Sequence, residues 1–401
     1  MTRVSAATAY RPAGGLAACT RVLDDRFVDP LASLGPGGFA WFADGLGLAT
    51  AGVAARVSAA EAGEVLADIA GDDPLGLPGT GPLAVGALGF DGRGELVIPA
   101  RIVGRTADGL TWVTEVGPGD PAAAAWPSSA RPAIADRPDR RGWTVAVDEV
   151  LARIAAGRLD KAVLARQVTI DLDADVDQAS VLDRLRRAQP ACFTCAVGSY
   201  VGASPELLVR RRGRLVVSRP LAGTVAQGGP ADEDRRLVAG MAASAKEQAE
   251  HAMVVREVRA ALDELCDEVS ASARPEVVRL ATVAHLATTV TGRLREPAAS
   301  ALAVAARLHP TPAVAGVPRA AALAAIAELE PFDRGIYAGP LGWVDSRGDG
   351  DWAVALRGAT LDGRRARLVA GAGIVAGSDP GAEWDETEAK LRAMRAALRS
   401  T

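Results

Sequence analysis

The spacing of apolar residues changes character near residue 140. Before that point, short apolar stretches such as GGFAWFADGLGLAT and GPLAVGALGFDG are separated by Gly and Pro, which predicts strands and turns, with one helix over SAAEAGEVLADIAG. Beyond it, Val147, Val150, Leu151 and Ile154 follow the i, i+3, i+4, i+7 spacing of an amphipathic helix, which Gly157 can end. The pattern therefore predicts a strand-rich first part and a second part with better-defined helices.

Strands dominate the second part as well. The segments KAVLARQVTI, CFTCAVGSYVGA, RLVVSRPLAG, GPLGWVD, WAVALRGATL and ARLVAGAGIVAG all have strand character. Helices are predicted at about 232–268, 298–307, 318–329 and from about 381 onward. Many strands with a few helices between them predict an α+β (α/β) fold, in which large, mainly antiparallel sheets carry helices on the outside.

A proline-rich stretch lies between the two parts. Residues 117–142 contain Pro118, Pro121, Pro127, Pro132 and Pro138 among Ala and Ser. Such a segment predicts a linker or a long surface crossing, with few contacts between the parts on either side of it.

Composition limits the classes of function. With 49% hydrophobic and 23% charged residues over 401 positions, the chain can bury a large core. Its net charge of −4 argues against nucleic acid or an anionic membrane as a partner, because those need a basic surface. No run reaches the ~18 apolar residues of a membrane span. The first residues lack the apolar stretch of a secretory signal, so we expect a cytoplasmic protein.

The cysteines predict packing rather than chemistry. Four in 401 residues are too few for a disulfide framework. Cys192 and Cys195 have the C-x-x-C spacing of a redox centre or of half a zinc site, but the sequence contains no second such pair. Because both lie in an apolar run, we interpret them as buried core residues.

Two predicted helices carry the same pair of carboxylates. Glu247 and Glu250 are three residues apart, as are Glu383 and Glu386, so each pair projects from one face of its helix, with Lys390 one turn beyond the second pair. Oxygen ligands of this kind suit Mg²⁺, which keeps several waters and needs only one or two carboxylates from each helix. Taken alone, either pair is far more often solvated surface charge than part of a metal site.

Two other motifs could be interpreted as a transition-metal site and as a dinucleotide-binding site, but the sequence supports neither interpretation. His251 suggests a transition-metal site, but only three histidines exist and none pairs with it at ligand spacing. The glycine run from Gly371 to Gly377 has GxGxxxG rather than GxGxxG spacing, with no βαβ unit after it, which argues against NAD. We interpret it as a strand-to-helix turn whose N–H groups can approach a carboxylate.

Nine motifs in a fixed order carry a resemblance to a known family. They are Lys161-Ala-Val-Leu-Ala-Arg166, Gly202-Ala-Ser-Pro-Glu206, Pro220-Leu-Ala-Gly-Thr224, Lys246-Glu-Gln-Ala-Glu250-His251, Ala284-His285-Leu286, Leu308-His-Pro-Thr-Pro-Ala313, Ile336-Tyr-Ala-Gly-Pro-Leu-Gly-Trp343, Val354-Ala-Leu-Arg357 and the block from Gly371 to Lys390. Together they resemble the chorismate-utilising enzymes, which include isochorismate, salicylate, anthranilate and aminodeoxychorismate synthases. The resemblance implies one fold unit of two packed subdomains with the site in the cleft between them. Residues 1–130 form its variable N-terminal part and residues 137–398 its chorismate-binding catalytic region.

The resemblance also implies a role for individual residues. Lys161 matches the base that activates water and Glu206 the general acid. Glu250 and Glu386 match the Mg²⁺ ligands, with Glu383 reaching the metal through water. The positions that match substrate contacts are Gly223, Thr224, His285, Ala313, Val314, Tyr337, Arg357, Gly371, Gly373 and Lys390.

Within the family, the sequence favours isochorismate synthase. Lys161 stands where ammonia-using relatives usually carry glutamine, which indicates water as the nucleophile, and the block from His309 to Ala313 resembles isochorismate synthases. Salicylate synthase and 2-amino-2-deoxyisochorismate synthase are the alternatives. A catalytically dead binding subunit is a further one, disfavoured because the acid, base and metal positions are all intact. We expect chorismate as substrate, no glutaminase subunit and a monomer. The product could serve menaquinone, catechol siderophores or other phenolic metabolites, and the compact N-terminal part favours siderophore or secondary metabolism.

Overall fold

The computed structural model describes residues 15–25, 27–120, 122–123, 126 and 137–399. Within these ranges the chain forms eight α-helices: α1 (Ala62–Asp68), α2 (Arg140–Ala155), α3 (Gln178–Ala188), α4 (Ala231–Ala243), α5 (Ala245–Asp263), α6 (Ala301–Leu308), α7 (Arg319–Leu329) and α8 (Pro380–Arg399). None of these helices is long and apolar enough to cross a membrane.

The described residues also form 24 strands and a short 3-10 helix at Pro30–Ser33. The strands are β1 (Ala17–Val22), β2 (Phe39–Ala43), β3 (Leu46–Ala51), β4 (Ala55–Ser58), β5 (Ala70–Asp72), β6 (Leu83–Ala87), β7 (Glu95–Ile98), β8 (Arg101–Arg105), β9 (Thr111–Gly117), β10 (Lys161–Asp171), β11 (Phe193–Val197), β12 (Tyr200–Ser204), β13 (Leu207–Arg212), β14 (Leu215–Arg219), β15 (Leu221–Ala226), β16 (Cys266–Ala271), β17 (Glu276–Arg279), β18 (Val283–Ala287), β19 (Val290–Leu294), β20 (Gly316–Val317), β21 (Pro340–Asp345), β22 (Gly350–Val354), β23 (Gly358–Asp362) and β24 (Arg365–Val375).

Most of these strands belong to two large sheets. Over the described residues, the first sheet has the order β20-β10-β24-β23-β12-β11-β2-β3-β8-β9-β1-β5 and the second has the order β16-β19-β14-β13-β22-β21-β6-β7-β4. A small third sheet has the order β15-β18-β17. Neighbouring strands run antiparallel except β1 and β5. The prediction of large, mainly antiparallel sheets is confirmed.

The early strands are built into both large sheets. On the first sheet β2 pairs with β11, so that Ala40 lies opposite Ala196. On the second, β6 pairs with β21, so that Gly86 lies opposite Gly342. The expectation that few contacts would cross the proline-rich stretch is therefore wrong, because strand pairing overrides the local linker signal. Half of that stretch, residues 121, 124–125 and 127–136, lies outside the described residues.

Aromatic side chains fill the space between the two large sheets. Trp41 and Trp112 of the first sheet and Trp343 of the second belong to one buried cluster, as do Phe39 and Leu83. The outer face of the first sheet carries α2, α3, α7 and α8, and that of the second carries α1, α5 and α6. Burying each apolar face in this way is what drives a layered fold. Helices therefore lie outside, as predicted.

The cysteine pair is part of this packing. Cys192 and Cys195 are both buried and unpaired. Burial raises the pKa of the Cys192 thiol to about 11, which keeps it protonated and unreactive at neutral pH. The interpretation of the pair as core residues is confirmed.

One predicted helix is in fact two helices and a strand. The segment from 232 to 268 breaks at Ser244, which ends α4 and caps α5 by accepting a hydrogen bond from the Glu247 N–H. The segment then enters β16 at Cys266. Residues that favour a helix, mainly Ala, Met, Glu and Lys, continue on both sides of the break, so helix propensity alone does not mark it. The Ser-x-x-Glu capping signal at Ser244 to Glu247 was available and marks the start of α5.

Candidate active site

A cavity of about 490 Å³ gathers the residues that the sequence singled out. Its lining includes Lys161, Glu206, Gly223, Thr224, Glu250, His285, Ala313, Val314, Tyr337, Arg357, Gly371, Gly373, Glu383, Glu386 and Lys390. These are all fifteen predicted site residues, although they come from positions spread over more than half of the chain. Their common location agrees with the expected cleft, and their individual roles stay predictions.

The cavity also contains charged residues to which sequence reasoning gave no role. They are Lys246, Glu247, Asp385 and Arg392. Glu247 had been noticed only as the partner of Glu250 in a spaced pair. Lys246 and Asp385 are sequence neighbours of predicted ligands, which is a signal that was available. In the sequence, the only sign that Arg392 lines the cavity is its position two residues beyond Lys390 on α8.

Lys161 is the first residue of β10 and is almost completely buried, with 1% of its side chain exposed. Its Nζ lies 2.8 Å from Glu250 Oε1. Gly373 lies directly beside this ion pair. A Cβ on Gly373 would lie 2.7 Å from Glu250 Oε1 and 2.9 Å from Lys161 Cε, closer than such atoms can approach. The absence of a side chain at Gly373 therefore makes room for the ion pair.

This placement corrects the interpretation of the glycine run. Gly371 and Gly373 lie inside β24, which pairs with β10 along its whole length, and not in a strand-to-helix turn. The Gly371 carbonyl accepts a hydrogen bond from Lys390 Nζ at 2.9 Å, and a Cβ on Gly371 would lie 3.0 Å from the Tyr337 hydroxyl. Burial raises the pKa of Tyr337 to about 12, so its hydroxyl stays neutral. The strand predicted over ARLVAGAGIVAG is confirmed, and the turn begins only beyond Val375, while Gly371 and Gly373 allow close approach within the strand.

Glu206 occupies the bend between β12 and β13 and is 3% exposed. The Ser204 hydroxyl donates to the Val354 carbonyl and accepts a hydrogen bond from the Glu206 N–H, which fixes the bend. Burial raises the pKa of the Glu206 carboxyl to about 8, despite the opposing effects of Lys161 and the Leu221 N–H. This carboxyl is therefore mostly protonated at neutral pH and has a proton to donate.

Besides the exposed Asp385, four carboxylates line the cavity from α5 and α8: Glu247, Glu250, Glu383 and Glu386. Burial and the neighbouring Glu386 raise the pKa of Glu383 to about 7. Burial and Glu250 likewise raise the pKa of Glu247. The cluster therefore concentrates more negative charge than its surroundings stabilise.

Lysine side chains offset part of that charge. Lys390 Nζ lies 2.6 Å from Glu386 Oε1, and Lys246 Nζ lies 3.6 Å from Glu383 Oε1. Across the described part of the chain, no three His, Cys, Asp or Glu side chains converge closely enough to hold a metal ion. The donor chemistry still fits Mg²⁺, because every candidate ligand is a carboxylate oxygen and this ion keeps several waters of its own.

The transition-metal reading of His251 finds no support in the described residues. Its Nε2 lies 2.7 Å from the Thr288 hydroxyl. Burial lowers the pKa of His251 to about 4, so the ring is neutral and structural.

A chain of hydrogen bonds orients Arg357. Its NH2 group lies 2.8 Å from His285 Nε2, and because a guanidinium can only donate, Nε2 must accept. The Nδ1 of His285 then carries the hydrogen and lies 3.2 Å from the Gly223 carbonyl and 3.1 Å from the Thr224 hydroxyl. Burial holds the pKa of His285 well below its usual value, so the ring stays neutral. The result is a buried guanidinium with fixed direction, suited to a carboxylate ligand.

Backbone conformation adds to this arrangement. Arg357 has a positive φ of 52°, an uncommon conformation for a side chain of this size. Such strain is typical of functional sites. Gly223, with φ of 73°, turns the backbone so that the Thr224 N–H donates to Glu247 Oε2 at 3.2 Å. The side of the cavity that carries Arg357 and His285 is therefore linked directly to its acidic side.

Comparison with known proteins gives a consistent result. The family described as chorismate binding enzyme matches residues 120–399. The isochorismate synthase DhbC of Bacillus subtilis is 40% identical over 272 residues, which cover 65% of this chain and 68% of that protein. The isochorismate synthase EntC of Escherichia coli is 39% identical over 262 residues, covering 64% of this chain and 67% of that protein. The solved structure of MenF, the menaquinone-specific isochorismate synthase of Escherichia coli, matches with a TM-score of 0.81 at 28% identity, covering 98% of this chain and 97% of that chain.

Proposed function

The chain belongs to the chorismate binding enzyme family, and we propose that it acts there as an isochorismate synthase. This enzyme is an isomerase that adds water at C2 of chorismate while the hydroxyl at C4 leaves. One observation carries the proposal beyond family membership. Lys161 and the protonated Glu206 line the same cavity, so a base and an acid are available to one bound ring.

Glu206 is the general acid in this proposal. A hydroxyl leaves a ring far more easily as water, so it needs a proton as the C–O bond breaks. Because its pKa is about 8, the Glu206 carboxyl carries that proton at neutral pH. Burial, which raises this pKa, also keeps bulk water from taking the proton.

Lys161 is the general base. Its Nζ removes a proton from the water that attacks C2, so the amine must first be neutral. In the described structure the nearest carboxylate holds it as an ion pair, at 2.8 Å from Glu250. Because only 1% of this side chain is exposed, the amine is shielded from bulk water.

The remaining cationic groups hold the substrate. Chorismate is a dianion, and Arg357 offers a fixed guanidinium to its enolpyruvyl carboxylate. Tyr337, Ala313 and Val314 line the space for the ring, next to Gly371. Because a misplacement of ~1 Å costs ~10²-fold in an oriented reaction, these contacts matter as much as the acid and base.

We propose Mg²⁺ as the cofactor. Glu250 and Glu386 would hold the ion, with Glu383 reaching it through water. When bound, the ion supplies positive charge to the ring carboxylate of chorismate. The support is the four-carboxylate cluster, in which burial and a neighbouring carboxylate raise the pKa of Glu247 and of Glu383, and whose donors are all oxygen. We further propose that the enzyme works in the cytoplasm, as a monomer and without a glutaminase subunit.

The decisive experiment is to follow chorismate with the purified protein by proton NMR. In the presence of Mg²⁺ we expect isochorismate signals that grow to a constant ratio with chorismate, and we expect none in excess EDTA. Glu206→Gln, which keeps the size of the side chain, should remove the activity while the far-ultraviolet circular dichroism stays unchanged. Chorismate that remains intact with Mg²⁺ at several pH values would overturn the proposal.

A further inference from the structure

Arg166 lies on the same strand as Lys161 but points to the other side of the sheet. The two are five residues apart on β10, and successive side chains of a strand alternate between its faces. Lys161 lines the cavity, whereas Arg166, with 2% of its side chain exposed, is buried against α8. One strand therefore contacts both the reaction site and the helix that carries two of the four acidic groups.

Helix α8 presents different residues on its two sides. Glu383, Glu386 and Lys390 line the cavity, at i, i+3 and i+7. The next face contacts Arg166 through three residues: Trp384, Thr387 and Glu388. The helix is therefore held on one face and functional on the adjacent one.

The contacts of Arg166 are short and of different kinds. Its Nε donates to the Thr387 hydroxyl at 2.6 Å, and its NH2 forms an ion pair with Glu388. Its guanidinium carbon lies 3.9 Å from the ring centroid of Trp384, in cation–π geometry. Thr387 in turn donates to the Trp384 carbonyl at 2.7 Å, so one hydroxyl links the arginine to the helix backbone.

A second set of contacts fixes the start of the same helix. The Trp143 ring meets the Trp384 ring edge-on, with centroids 6.2 Å apart and planes at 74°. Its Nε1 donates to the Pro380 carbonyl at 3.1 Å. Trp384 is thus held between Arg166 and Trp143, directly beside Glu383 in the sequence.

We propose that Arg166 is a positioning residue that sets the rotation of α8 about its axis and so places Glu383 and Glu386 for the metal. This inference rests on the proposed function. Side-chain ends lie ~5–6 Å from a helix axis, so a rotation of ~10° moves them by ~1 Å. Metal–ligand distances tolerate only ~0.2 Å. Contacts that prevent a small rotation therefore affect metal binding without touching the ion.

The test compares Arg166→Met with Arg184→Met. Arg184 is a matched control because its Nε donates to the Ala397 carbonyl at 2.8 Å, near the other end of the same helix. We expect Arg166→Met to weaken Mg²⁺ binding by ~10- to 100-fold in calorimetry, the range seen when a residue that supports a metal ligand is lost. The Mg²⁺ concentration for half-maximal activity should rise in parallel, with kcat recovering at saturating Mg²⁺. Arg184→Met should bind Mg²⁺ as the wild type does, even if its Tm falls.

Thr387→Val provides a second, milder variant in case Arg166→Met does not fold. It removes the hydroxyl that Arg166 contacts and keeps the shape, so we expect a several-fold loss of Mg²⁺ affinity. Equal Mg²⁺ affinity in wild type, Arg166→Met and Thr387→Val would overturn the inference, as would an equal loss in Arg184→Met. A wild-type protein that neither binds Mg²⁺ nor converts chorismate would instead overturn the proposed function.

Discussion

The ammonium of Lys161 lies 2.8 Å from the Glu250 carboxylate, so the proposed base is paired with a proposed metal ligand. The same relationship holds for Lys390 and Glu386, at 2.6 Å. In each case a lysine and a metal ion would compete for one carboxylate. Filling the metal site should therefore release the Lys161 amine from its ion pair, which couples metal binding to the readiness of the base.

Replacing Lys161 tests both parts of this relationship. Lys161→Met should lower kcat by at least ~10²-fold, the usual scale for a positioned base. It should also leave Mg²⁺ affinity equal or higher, because the competing ammonium is gone. Turnover and calorimetry on the same preparation measure the two effects. Near-normal turnover would contradict the assignment of the base, and a strong loss of Mg²⁺ affinity would contradict the competition.

Neutralising the acidic cluster should separate metal binding from folding. Glu250→Gln and Glu386→Gln should each abolish Mg²⁺-dependent activity, because each removes a proposed ligand. Glu386→Gln, at a partly exposed position, should lower the Tm of the metal-free protein little, whereas Glu250→Gln should lower it more, because the buried Lys161 loses its ion-pair partner. Thermal unfolding in EDTA and turnover in Mg²⁺ check the two statements. Full activity of the wild type in excess EDTA would rule out the metal.

The elevated pKa of Glu206 should be visible in the pH dependence of activity. The acid must be protonated, so kcat/KM should fall as pH rises through about 8, the pKa of this carboxyl. A pH profile of the wild type measures this limb. Activity that keeps rising well above that pH would exclude Glu206 as the acid.

The same pKa predicts a change in stability. In the unfolded chain the Glu206 carboxyl ionises near its ordinary value of 4.5, whereas the folded protein keeps the proton up to about 8. Between these values the folded state binds the extra proton, so this residue lowers the free energy of unfolding by about 1.4 kcal/mol per pH unit as pH rises. Glu206→Gln lacks this effect. Its stability relative to wild type should therefore increase from pH 5 to pH 8 in denaturant titrations, and a constant difference would refute the shifted pKa.

The sequence was informative where chemistry resides in local motifs. Lys161, Glu206, Glu250 and Glu386 were identified from short ordered segments, and the structure brings all four to one cavity. Contacts between residues that are far apart in the sequence produce no local motif that could be recognised. The stacking of Arg166 on Trp384 joins residues more than 200 positions apart, and no periodicity encodes it. Contacts of this kind can be identified only from the three-dimensional structure.

Gly373 is a further case in which the sequence alone did not reveal the role of a residue. The sequence suggested that it belongs to a strand-to-helix turn, but Gly373 lies inside β24, where the lack of a side chain leaves space for Lys161 and Glu250. Gly373→Ala should displace Glu250 and Lys161, because the new Cβ would lie within 3 Å of both side chains. We expect a loss of kcat of ~10²-fold, the scale of a ~1 Å misplacement.

Gly240→Ala is the matched control for that variant. Gly240 lies in α4 with no heavy atom within 4 Å of the position of a new Cβ. Alanine favours a helix over glycine by up to ~1 kcal/mol. Gly240→Ala should therefore keep full activity and raise the Tm slightly. Steady-state kinetics and thermal unfolding of both variants distinguish a specific steric effect from a general cost of adding a methyl group.

The product distribution decides between isochorismate synthase and salicylate synthase. Both begin with the same addition of water, and the second then eliminates pyruvate by moving the C2 hydrogen to the enolpyruvyl methylene. That step depends on the pose of the enolpyruvyl group, which neighbouring side chains must constrain. Ala313 lines the cavity with a side chain of a single methyl group. This small side chain constrains the enolpyruvyl group less than a larger side chain would, so the elimination of pyruvate should be slow.

We therefore expect purified protein with Mg²⁺ to form isochorismate and release little pyruvate. Lactate dehydrogenase with NADH reports pyruvate, and fluorescence reports salicylate independently. Ala313→Thr should raise the ratio of pyruvate to isochorismate, because the larger side chain narrows the range of poses of the enolpyruvyl group. Ala303→Ser, on the exposed side of α6, serves as the control and should leave the ratio unchanged. Stoichiometric pyruvate and salicylate from the wild type at neutral pH would reassign the protein to salicylate synthase.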